Sequence, residues 1–285
     1  MEGEQFTQRM LTPLSENKLT LLLHQNIEVD LLLRLVTLEF RTQGETGEAI
    51  YHNRPRNQKD YETFRHIALH LSSIQDQDQL YAEPLIFTRH WTLPAKTVSG
   101  KSFLALEREY SITLDPQKPV YHLSKQVIGR TVLTNYDPFL LNNEERMRLN
   151  DEAETNAVND VLVDIRPTYP GGDYPLHGKL RLRSFSNIIY FIGRSISSEP
   201  EHDVPKDSHT PQVKENPVSA IAVLESDSYP SGADVAVNYR GKYYSVRSGQ
   251  DSSWDQTAFR VLSQIYQMTI TELPKVAAPS ITIAK

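Results

Sequence analysis

Apolar positions along this chain follow a helical rhythm first and a two-residue rhythm later, and the change of period predicts where helices give way to strands. Ser15 stands before a short helix carrying Leu19, Leu21, Leu22 and Leu23. A second helix is predicted from Asn26 through Arg41. It is apolar over a wide arc: Val29, Leu31, Leu32, Leu33, Leu35, Val36, Leu38 and Phe40. Such an arc means a centrally buried helix or one that also meets a partner. The polar stretch Thr42 to Lys59, with Gly44, Gly47 and Pro55, predicts a loop. Tyr61 to Ile74 predicts a third helix with Phe64, Ile67, Leu71 and Ile74 facing inward. From residue 84 to 135 the pattern turns to β, with strands at Leu85–Phe87, Ser102–Leu114 and Val127–Thr134. Pro94, Gly100, Pro116, Pro119 and Gly129 punctuate this region.

A charged helix follows from Asn143 to about Val158, its first turn favoured by Glu144 and Glu145, and Val161–Ile165 reads as a buried strand. Pro167 to Pro175 reads as a loop and a domain boundary. Beyond it come a strand at Lys179–Arg183 and a helix capped by Ser184, with Phe185, Ile188, Ile189, Ile192 and Ile196 on one face. Glu199 to Pro217 is rich in Pro, Asp, Lys and Ser and predicts a mobile loop with too little apolar surface to repay its ordering. The most sharply patterned stretch runs from Ala233 to Met268. A loop of three residues would mix apolar with polar partners. A two-residue turn, Arg240-Gly241, pairs Val237 with Tyr244 and Val235 with Val246 and leaves one apolar face, so it is preferred. Gly241 takes a positive φ freely, Arg240 less so. Ser252 or Ser253 caps the next helix, whose stripe of Trp254, Ala258, Val261, Leu262, Ile265 and Met268 has a natural partner in that apolar face. Ser280–Lys285 has a strand-like pattern. The whole predicts an α+β protein: a helical region over 1–78, a β-rich, antiparallel region with a charged helix over 79–166, and over 167–285 a C-terminal α+β unit whose hairpin is packed by helices.

Four blocks resemble the C-terminal region of a widespread set of uncharacterised bacterial proteins: Arg183–Gly193, Pro200–His202, Ala233–Tyr244 and Thr257–Tyr266. The family pattern has an Arg-Ser helix start, a Pro/Glu/His loop, a strand ending in Tyr-Arg-Gly before an aromatic pair, and a Ser/Thr-Phe-rich helix. Two departures stand out. Ser245, Val246 and Arg247 replace the acidic residues and isoleucine usual after the aromatic pair, and the preceding loop is unusually polar. The resemblance covers about the last third of the chain. It implies a shared fold and a bacterial source, and carries no activity with it.

Composition narrows the function by exclusion. A net charge of −6 gives no general attraction to nucleic acid or to anionic membranes. The absence of cysteine removes disulfides, thiol nucleophiles and Cys-ligated zinc. No run is long enough for a membrane span, and the first residues lack the basic and apolar segments of a secretory signal, so a cytoplasmic protein is expected. Neither a Gly-x-Ser-x-Gly elbow nor a phosphate or dinucleotide glycine loop is present; Gly171-Gly172 is followed by Asp173. No cofactor is implied.

The candidate chemistry is sparse. His66 and His70 stand at i, i+4 and so share a helix face that can chelate a metal, with Glu62 one turn earlier. A zinc-peptidase helix would place Glu where Ile67 stands, and the pair lies opposite the apolar stripe, so a solvated face is preferred. Glu107, Arg108 and Glu109 lack the further Asp and Lys of a magnesium nuclease site. Lys179, Arg181 and Arg183 alternate along a strand as a solvated face, or as a phosphate-binding stripe. His202, Asp203, Asp207 and His209 are metal-ligand types in a segment expected to be mobile. Arg240, Lys242 and Tyr243 form a possible surface binding edge. Two classes stay open. The favoured one is a non-catalytic interaction or structural subunit of a bacterial complex, with a protein partner or a second copy. The other is a hydrolase acting on nucleic acid whose site, drawn from Glu107, Glu109, His66 and His70, assembles only in the fold.

Overall fold

The computed structural model describes residues 2–44, 47–246 and 253–270. The chain is of the α+β class. It opens with three helices, α1 (Glu2–Leu11), α2 (Glu16–Leu23) and α3 (Val29–Val36), then a hairpin of β1 (Thr37–Gly44) and β2 (Gly47–His52). Helix α4 (Gln58–Gln75), the long strand β3 (Tyr81–Pro94), α5 (Gly100–Glu107), β4 (Ser111–Leu114) and the long strand β5 (Val120–Thr134) follow. Next come α6 (Asn143–Glu154), β6 (Asp160–Ile165), β7 (Leu176–Leu182) and α7 (Phe185–Ser197). A small sheet of β8 (Val223–Ser226), β9 (Ala236–Tyr239) and β10 (Lys242–Val246) precedes α8 (Ser253–Ile270).

Seven strands make the main sheet in the order β2-β1-β7-β6-β5-β3, with β4 on the outer part of β5. Every pairing in it is antiparallel except β5 with β6, where Val132, Leu133 and Thr134 run beside Leu162, Val163 and Asp164. The 167–175 loop therefore joins two neighbouring strands of one sheet, and β7 lies between β1 and β6. Successive β6 residues face opposite sides. Val161, Val163 and Ile165 enter the larger core with α3, α4, α7 and α8; Leu162 enters a smaller one with Leu85, Phe87, Val132 and α6 residues Leu149 and Ala153. Helix α6 starts in a capping box, Asn142 accepting from the Glu145 amide at 2.9 Å while the Glu145 carboxylate accepts from the Asn142 amide.

Several elements differ from the sequence reading. The second helix ends at Val36, and its continuation with the expected loop forms the β1–β2 hairpin; Leu38 and Phe40 are strand residues. Its start is fixed from outside: the Gln75 side chain of α4 accepts from the Val29 amide at 2.7 Å, so Asn26 does not cap it and instead turns the chain with φ 58. The wide apolar arc is absorbed: every residue of α3 is buried. The expected strand 102–114 is helix α5 plus the short β4, because Ser99 caps Ser102 as a helix start. On α7, Phe185, Ile188, Phe191 and Ile192 are buried, whereas Ile189 and Ile196 stay exposed.

The C-terminal hairpin has the preferred two-residue turn. Val237 lies opposite Tyr244, and Arg240 and Gly241 both take positive φ, 53 and 82. Val235 lies before β9, so its pairing with Val246 does not form. The helix meets the hairpin through β10, whose Val246 is buried in the same core, but leaves β9 uncovered: Val237 and Tyr239 are exposed, and the buried stripe Trp254, Ala258, Val261 and Ile265 joins the main core with α1, α3 and α7. The cap at Ser252 and the strand pattern of 280–285 lie outside the described residues.

Candidate functional site

Two segments stand apart from ordinary core and loop. The first is the arm formed by the outer halves of β3 and β5 with α5 and β4. Between Thr88 and Arg130, Leu123 alone is buried. The arm is held by ladder pairing from Thr88↔Gln126 to Pro94↔Val120, by Ser111–Leu114 on β5, and by small aromatic contacts. Trp91 meets Tyr110 edge-on at 5.3 Å, and Phe103 meets Tyr121 at 5.4 Å. It exposes large apolar side chains: Trp91 by 39%, Leu104 by 62%, Leu114 by 59% and Ile128 by 73%. β3 and β4 are both outer strands, so their free backbone groups face away from the sheet.

The second is the 199–221 segment. It has no helix or strand, yet Glu199, Glu201, Val204, Thr210, Val213, Ala220 and Ile221 are buried. The Glu201 carboxylate accepts from Arg34 at 2.7 Å, from the Tyr61 hydroxyl at 2.8 Å and from the Ala220 amide at 2.7 Å. Burial alone would push this carboxyl up; Arg34 and the two other donors outweigh it and hold it below the ordinary range. Arg34 also donates to the carbonyls of Pro217 and Val218 and lies 3.7 Å from Asp30, which pairs with Arg65; Arg65 in turn reaches Asn216. The segment expected to be mobile is thus anchored by buried charges, because polar anchors do what its composition cannot do with apolar ones.

The residues singled out from the sequence do not converge. His70 is not on a solvated face but fully buried, its Nε2 2.8 Å from the Gly171 carbonyl and its Nδ1 3.2 Å from the Thr210 hydroxyl. The carbonyl only accepts, so Nε2 carries the proton and neutral Nδ1 accepts from Thr210. Burial pushes this imidazole down, in keeping with the neutral form. His66 is half-buried one turn earlier, and no contact joins either histidine to Glu107 at the end of α5 or to Glu109, which pairs with Lys125 at 3.2 Å. His202 meets the Tyr61 ring at a tilt, and Asp207 and His209 pair with each other. Among the described residues no group of three His, Cys, Asp or Glu side chains could hold a metal ion, and no helix is long and apolar enough to cross a membrane. Lys179 pairs with Glu48 and Arg181 with Asp160, while Arg183 leaves their face and is buried. On the small sheet, Lys242 pairs with Asp227 at 2.6 Å, Tyr243 meets Tyr229 edge-on, and Arg240 lies over Tyr239. Lys242 and Tyr243 belong to its central strand.

A cluster that the sequence did not suggest surrounds Asp164. It accepts from Tyr136 at 2.5 Å, from Arg166 at 2.8 Å and from His177 Nδ1 at 3.0 Å, and His177 Nε2 donates to Glu152 at 2.7 Å. Burial would raise Asp164, but His177, Tyr136 and Arg166 pull it down to about 2. The bond to Asp164, aided by Glu152, raises His177 to about 9. His177 is therefore an imidazolium clamped between two carboxylates, with neither nitrogen free for proton transfer.

A cleft of about 440 Å³ lies between α7 and the chain that follows β2. Phe191, Tyr190, Leu38 and Pro55 line it with Arg54, Arg183 and Arg194. Its two carboxylates are spoken for. Glu39 is met by Arg41, by Arg181 at 3.6 Å and by His52 at 3.1 Å; Glu199 is met by Arg194. Comparisons of the chain with protein-family models, with curated proteins and with solved structures find no match.

Proposed function

We infer that this chain is a non-catalytic interaction protein, a subunit of a bacterial complex, and that the arm from Thr88 to Arg130 is its contact with a protein partner. The observation that carries this is the arm's exposure: four large apolar side chains, Trp91, Leu104, Leu114 and Ile128, stand on a structured ribbon that buries almost nothing of its own. Trp91 and Leu114 share one face of the ribbon, that of Leu123 and Tyr121, while Ile128 lies on the other. Apolar exposure on a structured element serves association, and open strand edges beside it supply backbone groups for pairing. The bacterial source rests on the family resemblance, which carries no activity; membership of a complex rests on the missing catalytic motifs and on the arm. The favoured class no longer draws on α3, whose apolar arc is consumed inside the fold. The polar groups that an enzyme would need are dispersed or engaged in ion pairs, so no observation favours the hydrolase reading.

The test is affinity purification of the full chain from extract of its own cells, beside a Leu104→Glu, Leu114→Glu double variant. A stoichiometric partner recovered with the wild type and lost with a variant of unchanged melting temperature is the expected result. Equal recovery by both, or no partner and no self-association of the wild type, contradicts it.

A further inference from the structure

The cleft beside α7 contains two guanidinium groups with no carboxylate. Arg183 closes the start of the helix from below. Its Nη1 donates to the Arg34 and Leu35 carbonyls at 2.9 and 3.1 Å, and its Nη2 to the Asn53 carbonyl at 2.7 Å. Its Cζ sits 4.0 Å from the centre of the Phe191 ring. Carbonyl dipoles and a ring face stabilise this cation only in part, and among the described residues it forms no ion pair although it is 3% exposed. Burial drives its proton affinity down to about 9, offset by Glu201, which is itself held by Arg34, and worsened by a like charge, Arg54. Arg54 is exposed, lines the same cleft, and its side chain makes no hydrogen bond or ion pair among the described residues. Two cations thus bear on one another in a concave space whose carboxylates are already engaged, Glu39 by Arg41, Arg181 and His52 and Glu199 by Arg194.

We propose that this cleft binds a small organic oxyanion, a carboxylate or phosphate group carried on an apolar, planar body. The anion sits between Arg54 and Arg183 and removes their mutual repulsion. In a partly desolvated site, charge-assisted hydrogen bonds to a guanidinium are strong and geometrically selective. The body packs on Phe191, Tyr190, Leu38 and Pro55, and the volume suits a ligand of modest size. The site is separate from the arm, so it goes beyond the interaction role and stands or falls without it.

Isothermal titration of the full chain tests the proposal with four probes: 3-phenylpropionate, phenyl phosphate, the neutral 3-phenylpropanamide and inorganic phosphate. The wild type is expected to bind at least one aryl anion saturably, with the amide and inorganic phosphate each at least about tenfold weaker, the scale of a lost charged hydrogen bond. Whichever aryl anion binds more tightly identifies the source as carboxylate or phosphate. Arg183 holds three carbonyls and its replacement endangers the fold, so the decisive variant is the exposed Arg54→Gln. It should keep the wild-type melting temperature and bind the preferred aryl anion about tenfold more weakly. No saturable binding of either aryl anion, equal binding of the amide or of inorganic phosphate, or unchanged affinity in Arg54→Gln would overturn it.

Discussion

The arm at 88–130 and the segment at 199–221 invert the usual relation between regular structure and burial. The arm is mostly strand and helix, satisfies its backbone by ladder pairing, and buries one apolar residue. The other segment has no regular element, and its side chains reach the centre of the molecule. Secondary structure answers where backbone hydrogen bonds go; burial answers what the fold depends on. Here the two are answered by different parts of the chain. The segment without strands should control stability, and the ribbon with strands should be nearly free to change.

The largest expected effect follows from breaking the buried charges. Arg34→Ala leaves the buried Glu201 without its cation, while Asp30 keeps Arg65, and removing one member of a buried pair costs roughly 3–5 kcal/mol. Denaturant unfolding should show that loss against a total of about 5–15 kcal/mol. A variant within 1 kcal/mol (about one hydrogen bond) of wild type would mean the segment is not anchored as described. Next in size is Trp254→Phe. It removes the 3.1 Å indole bond to the Ala220 carbonyl and should cost about 1–3 kcal/mol, read from the same unfolding curves. Alanine at that position would add the loss of a buried ring.

A smaller effect comes from pH. Asp164 is depressed, so its contribution is present above its ordinary value of 3.8 and is lost as pH falls towards about 2. His177 is raised, so its contribution is complete below 6.5 and is lost as pH rises through about 9. Melting temperature should therefore be highest between these limits, and His177→Gln should flatten the alkaline decline and also reduce the acid one, which then rests on Tyr136 and Arg166. His177 is half exposed, so solvent screening keeps this effect modest. The smallest changes belong to the arm. Leu104→Ser and Ile128→Thr should each shift stability by less than about 0.5 kcal/mol, as at ordinary surface positions.

Legibility in the sequence divides along the same line. Local signals carried well: the third helix, the charged helix after Asn142, the Ser184 cap, the strands at Val127–Thr134 and Val161–Ile165, and the register of Val237 with Tyr244 are all present. Differences arise mostly where a distant group decides; the expected strand at 102–114 is the exception, turned into α5 by the local Ser99 cap. Gln75 starts α3, and the sheet takes Thr37–Gly44 as a strand although the residues before it are helical. Asp30 and Arg34 stand at i, i+4, a visible hint of pairing, but Glu201 is 167 residues from Arg34, and no spacing rule links them. Polarity at 199–217 suggested solvent, whereas its Glu and Asn side chains are partners for buried arginines. The cleft cations were equally hidden: Arg183 looked like one of three alternating basic residues, and only the helix that follows it turns it inward.

Limited trypsin digestion of the native full chain compares the two regions in one experiment. The arm offers Arg89, Lys96, Lys101, Arg108, Lys118 and Lys125; the anchored segment offers Lys206, bonded to the Thr210 carbonyl, and Lys214, paired with Asp76. Among cuts between residues 88 and 221, the first should fall within the arm, with Lys206 and Lys214 resisting until the whole fold opens. First cleavage at Lys206 or Lys214 while the arm stays intact would contradict the account.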